Sequence, residues 1–87
     1  MKLIIAIIRD SDSDAVSQGL TSADLRVTQV ASTGGFLRRG NTTLLIGLDD
    51  DKVDPALEII RKSCAPANDG EKRASIFVVK VDQYVHF

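Results

Sequence analysis

Six consecutive apolar residues, Leu3-Ile4-Ile5-Ala6-Ile7-Ile8, constrain the architecture of this chain more than any other feature. Isoleucine, stiff at its branched Cβ, favours a strand. An apolar side chain at every position, rather than at every second one, is the pattern of a strand covered on both faces. The run, preceded by one lysine and followed by Arg9-Asp10, is too short for a signal peptide or a membrane span. It reads as strand one.

The remaining elements follow by period and punctuation. Ser11 with Asp14 three residues later fits a capping box, and Val16, Leu20 and Ala23 then fall at helical spacing, predicting helix one to about Ala23. Residues 26–32 alternate around Val27 and predict strand two; Val30 breaks the phase, which a bulge would accommodate. Thr42-Thr43-Leu44-Leu45-Ile46-Gly47-Leu48 is strand three, apolar on both faces and paired with strand two. Asp49-Asp50-Asp51 would sit at the positive end of the next helix and cap its free N–H groups. Val53, Ala56, Leu57, Ile60 and Cys64 make an i, i+3, i+4, i+7 stripe, with Pro55 tolerated in the first turn, so helix two runs to about Cys64. A turn-rich connection over 65–73 leads to Ser75-Ile76-Phe77-Val78-Val79-Lys80-Val81, strand four.

The order βαββαβ is that of an α+β ferredoxin-like sandwich, a four-stranded antiparallel sheet with two helices on one face. Strands one, three and four are apolar on both sides, so the uncovered face would expose a large hydrophobic patch in a monomer. Self-association through the sheet follows, most simply as a closed ring. A single domain over 1–87 also has a thin core, which favours oligomerisation.

Composition limits the partners. The 87 residues are 44% hydrophobic and 26% charged, ordinary for a globular protein, with a formal net charge of −1. No global field draws in a nucleic acid polymer or an acidic membrane, so any anion site must be local. The one cysteine, Cys64, excludes an intrachain disulfide and a cysteine-rich zinc site. It reads as a small buried apolar residue in a reducing, cytoplasmic compartment. One histidine, one cysteine and no HxxxH or CxxC spacing disfavour a hydrolase or metalloenzyme; neither a metal nor a cofactor is expected. His86 is either a solvated residue near the chain end or part of a pocket between subunits.

Chemistry concentrates in Ala31-Ser32-Thr33-Gly34-Gly35-Phe36-Leu37-Arg38-Arg39-Gly40-Asn41-Thr42-Thr43. Its glycines allow close backbone approach. Its two arginines present fixed forks of donors. The P-loop spacing is absent and a strand follows, so anion binding would rest on backbone N–H groups and arginines. Gly34-Gly35 alone reads as a hairpin turn and Arg38-Arg39 alone as a solvated tip. Phe36 beside them favours a ligand with a flat ring and a negative charge. Arg26, Thr28 and Asn41 would flank the same mouth, and Gly47 would let a ligand approach strand three; ordinary edge polarity is the competing explanation.

These residues resemble the PII-like cyclic di-AMP receptor proteins of bacteria, small trimeric signal-transduction proteins with the ferredoxin-like fold. The resemblance covers Met1-Lys2-Leu3-Ile4-Ile5-Ala6-Ile7, Arg26-Val27-Thr28, Thr33-Gly34-Gly35-Phe36-Leu37 with Gly40-Asn41-Thr42-Thr43, and Phe77-Val78-Val79 with Phe87. It implies a homotrimer binding one cyclic dinucleotide at each subunit interface, with Arg26, Thr28, Phe36, Leu37, Asn41, Gly47 and Phe77 at ligand-contacting positions. In that reading Phe36 and Phe77 pack the adenines, Arg26 and Asn41 hydrogen-bond base or phosphate, and backbone N–H groups from Gly35 to Leu37 hold a phosphate. His86 stands where the family commonly has a glutamine and could serve as a donor; Asp24 stands where it often has asparagine. The 65–73 connection is shorter than the family's usual loop.

The implied function is non-enzymatic: cyclic di-AMP binding changes the surface offered to a target protein. Two alternatives keep the fold, a PII-type sensor of ATP or ADP and a CutA-like structural trimer without a nucleotide.

Overall fold

The structure, a computed structural model, describes residues 1–32, 40–66 and 73–87. Strand β1 (Lys2–Arg9) leads through a short 3-10 turn into helix α1 (Ser13–Ser22), followed by β2 (Thr28–Ser32), β3 (Asn41–Leu48), a second 3-10 turn, α2 (Val53–Ser63) and β4 (Ala74–Lys80). The sheet order is β2-β3-β1-β4 and every neighbouring pair is antiparallel. This is the expected ferredoxin-like sandwich.

Side-chain alternation sorts the sheet into two faces. Ile4, Ala6 and Ile8 of β1, with Leu44, Ile46 and Leu48 of β3, point at the helices and are buried. Val16 and Leu20 of α1 and Ala56, Ile60 and Cys64 close the core from the other side. The helices meet closely at Gly19, where a Cβ would lie 2.9 Å from Ile59 Cγ2. The opposite sheet face carries Leu3, Ile5, Ile7 and Leu45, all half-buried, with Phe77 55% exposed and Val79 also exposed. Strand β1 is thus sealed by the chain itself on one face only, and the second apolar face forms the patch that the two-sided pattern anticipates.

Local details refine the sequence reading. Thr28 and Gln29 face Leu45 and Leu44, then the register shifts so that Ala31 faces Thr43. Val30 is the extra residue of a bulge, which is why it breaks the alternation. Both helices begin later than their acidic residues suggest, each behind a 3-10 turn with no side-chain cap bond from the residue at its N-cap. At the first turn the Ser13 hydroxyl donates to the Asp10 carbonyl at 2.9 Å instead. Helix α1 is closed by Asp24, two residues beyond its end and in the left-handed region, φ 63°. The Asp24 and Leu25 amides donate to the Thr21 and Leu20 carbonyls at 3.0 and 3.1 Å, the paired bonds of a Schellman cap.

Candidate functional site

Three of the sequence-predicted ligand residues converge on the open sheet face. Thr28 of β2 lies opposite Leu45 of β3, and Gly47 lies two residues further along β3, opposite Leu3 of β1. Exposed Arg26, two residues before the start of β2, joins Thr28 and Gly47 around a concavity of about 380 Å³. Leu3 and Leu45 give it an apolar lining; Met1, Val81 and Tyr84 complete it. The missing side chain of Gly47 helps keep it open, because a Cβ there would lie 3.2 Å from the Met1 Cε methyl. A guanidinium and a hydroxyl beside an apolar floor suit a ligand with an anionic part and a flat hydrophobic part.

The other predicted residues are distributed as follows. Phe77 belongs to the same open face and the same transverse row, since Phe77 pairs with Ile5, Ile5 with Leu45 and Leu45 with Thr28. Three strand spacings place it roughly 14 Å from Thr28. Asn41 is exposed at the opposite end of β3 from Gly47, paired with Arg9. Six residues of strand separate the two by roughly 20 Å. His86 lies in the segment after β4, exposed, its ring parallel to that of Tyr84 with centroids 6.5 Å apart. Gly35, Phe36 and Leu37 fall outside the described residues.

Sequence reasoning missed Met1, Val81 and Tyr84. The Val81 amide donates to the Met1 carbonyl at 3.1 Å, extending the β1–β4 pairing one residue and delivering Tyr84 to the concavity. An aromatic residue soon after the last strand was the available signal, but its position depends on this long-range bond.

A polar cluster stands at the far end of β1. The Thr42 hydroxyl donates to the Asp10 carboxylate, with both side chains buried, and the Asp10 amide donates to the Gly40 carbonyl at 2.9 Å. Arg9 donates to the Asp12 carboxylate at 2.8 Å and to the Ala65 carbonyl, while the Ala65 amide returns a bond to Asp12 at 3.2 Å. These bonds secure Gly40, which leads into β3, and Ala65, which follows α2.

A second concavity, about 430 Å³, opens between α2 and β4, with Leu57, Ile60, Cys64 and Ile76 as apolar lining and Arg61 and Arg73 among its residues. None of the predicted ligand residues lies there. Burial pushes the Cys64 thiol pKa up, and the nearby Asp12 charge adds to the shift. On the exposed side of α2, the Arg61 guanidinium hydrogen-bonded to Glu58 holds that carboxyl below its usual range. Among the described residues no cluster of His, Cys, Asp or Glu could hold a metal ion, and no helix is long and apolar enough to cross a membrane.

Comparison with known proteins identifies the family. The family model described as cyclic-di-AMP receptor matches residues 1–87. A crystal structure of a functionally unknown protein from Pediococcus pentosaceus ATCC 25745 is 35% identical and superposes with a TM-score of 0.80, covering 99% of this chain and 96% of that one. The family-model match across the whole chain establishes that this chain belongs to the cyclic-di-AMP receptor family, the PII-like family its motifs resemble.

Proposed function

We propose that the protein is a non-enzymatic cytoplasmic signalling receptor that binds cyclic di-AMP between the subunits of a homotrimer and thereby regulates a target protein. The observation that carries this reading is the convergence of Arg26, Thr28 and Gly47 on one concavity of the open sheet face. Arg26 supplies a charge-assisted donor for phosphate, Thr28 a neutral partner, and Gly47 room for a base against Leu3 and Leu45.

The subunit boundary follows from dimensions. A concavity of about 380 Å³ is near the lower end of small-molecule sites, about 300–1,000 Å³, and receives part of a dinucleotide. Phe77 and Asn41 are too far across and along the sheet to line it within one chain. A neighbouring copy docked on the apolar open face would bring its own Phe77 and Asn41 toward the ligand. Self-association would also cover Leu3, Ile5, Ile7 and Phe77. Gly35, Phe36 and Leu37 complete the proposed site through backbone donors and an aromatic ring.

Displacement of labelled cyclic di-AMP tests the proposal. Unlabelled cyclic di-AMP should displace the label far better than ATP or cyclic di-GMP, and Arg26→Ala should weaken binding roughly 10- to 150-fold, the range for a hydrogen bond to a charged group. Sedimentation should give a trimer. Equal displacement by ATP would identify a broader adenine-nucleotide sensor, and a trimer that retains no label would be a structural scaffold.

A further inference from the structure

We infer that Tyr84 is a stacking wall of the nucleotide site, with His86 holding the orientation of its ring. This rests on the cyclic di-AMP reading of the Arg26 concavity and adds a contact not contained in that reading. Tyr84 lines the same concavity as Arg26, Thr28 and Gly47 and is 63% exposed there. Its backbone is brought into place by the Val81 to Met1 hydrogen bond, three residues before it. The His86 ring lies parallel to it, 6° between planes and 6.5 Å between centroids, within the range of aromatic pairs. A purine entering between this ring and the aliphatic surface of Leu3 and Leu45 has a π-face to stack on while its phosphate reaches Arg26. Gly47 lines the same concavity and adds no side chain to it.

The chain has one tyrosine and no tryptophan, so tyrosine ring resonances report on Tyr84 alone. The full chain is titrated with cyclic di-AMP and followed in parallel by calorimetry and by these resonances, alongside Tyr84→Ala, Tyr84→Phe and His86→Ala. The ring resonances should move upfield with the same saturation as the heat. Tyr84→Ala should bind roughly 5- to 150-fold more weakly, the range for loss of one base–aromatic stack, whereas Tyr84→Phe should stay within about two-fold of wild type. His86→Ala should lie between them. Thermal melts should show all three variants folded, as expected for exposed positions. Saturable heat with an unmoved Tyr84 ring and undiminished binding by Tyr84→Ala would overturn the stacking role and leave the cyclic di-AMP reading intact. No saturable heat from wild type would overturn that reading and the stacking role with it.

Discussion

Gly47 and Met1 meet at one end of the open sheet face so closely that a Cβ on Gly47 would stand 3.2 Å from the Met1 Cε methyl. The methyl is the far end of a flexible side chain and can yield by a few tenths of an ångström. Gly47→Ala should therefore change stability by less than about 1 kcal/mol, because alanine also suits a strand better than glycine. The added methyl faces the concavity shared with Arg26 and Thr28, where a fit that fails by one carbon costs about ten-fold or more in affinity. Comparing urea denaturation with cyclic di-AMP titration separates these effects. Unchanged affinity would remove Gly47 from the site.

The buried bond between Thr42 and Asp10 ties the start of β3 to the end of β1. Thr42→Val keeps the shape of the side chain but withdraws a donor from a buried carboxylate. Loss of about 1–3 kcal/mol is expected. Each kilocalorie should lower the melting temperature by about 4–8 °C in a chain of this size. An unchanged melting temperature would show that Asp10 does not depend on this hydroxyl.

Period and punctuation made the architecture legible because each signal was local. The continuous apolar runs of β1 and β3, the α2 stripe from Val53 to Cys64 and the phase break at Val30 all have direct counterparts in the structure. The two-sided apolar pattern also anticipated an open face, although it could not say which residues form it until helix packing chose Ile4, Ala6 and Ile8 for the core. The geometry of the candidate site was legible in part. Arg26, Thr28 and Gly47 share a mouth, but Asn41 does not join it, since the strand carries Asn41 roughly 20 Å away from Gly47. Tyr84 and the Arg9–Asp12–Ala65 contacts depend on hydrogen bonds between distant segments, which no local pattern encodes.

Asp24 occupies the left-handed position of the cap that ends α1. An acidic side chain tolerates this conformation, whereas a β-branched one crowds its own backbone. Asp24→Val should cost about 1–2 kcal/mol, and Asp24→Gly should retain or exceed wild-type stability. Chemical denaturation of the two variants gives the comparison directly. Equal stability of Asp24→Val and wild type would contradict a conformational role for this position.

Burial and the Asp12 charge raise the Cys64 pKa, so the folded chain holds the thiol proton more tightly than the unfolded chain does. Stability from this source is fully present below the unfolded thiol's value of about 8.5 and declines as pH rises toward the higher folded value. Cys64 should be alkylated more slowly than a free thiol at neutral pH, and Cys64→Ala should flatten the alkaline loss of stability. Rapid alkylation of the native chain, or an unaltered pH slope in the variant, would be the contrary result.

The most direct test of the central claim is calorimetric titration of the unmodified protein with cyclic di-AMP, with ATP and cyclic di-GMP titrated in the same buffer. Saturation near one cyclic dinucleotide per chain, with much weaker binding of the other two nucleotides, is the predicted result. Absence of saturable heat with cyclic di-AMP, or equal affinity for ATP, would contradict it.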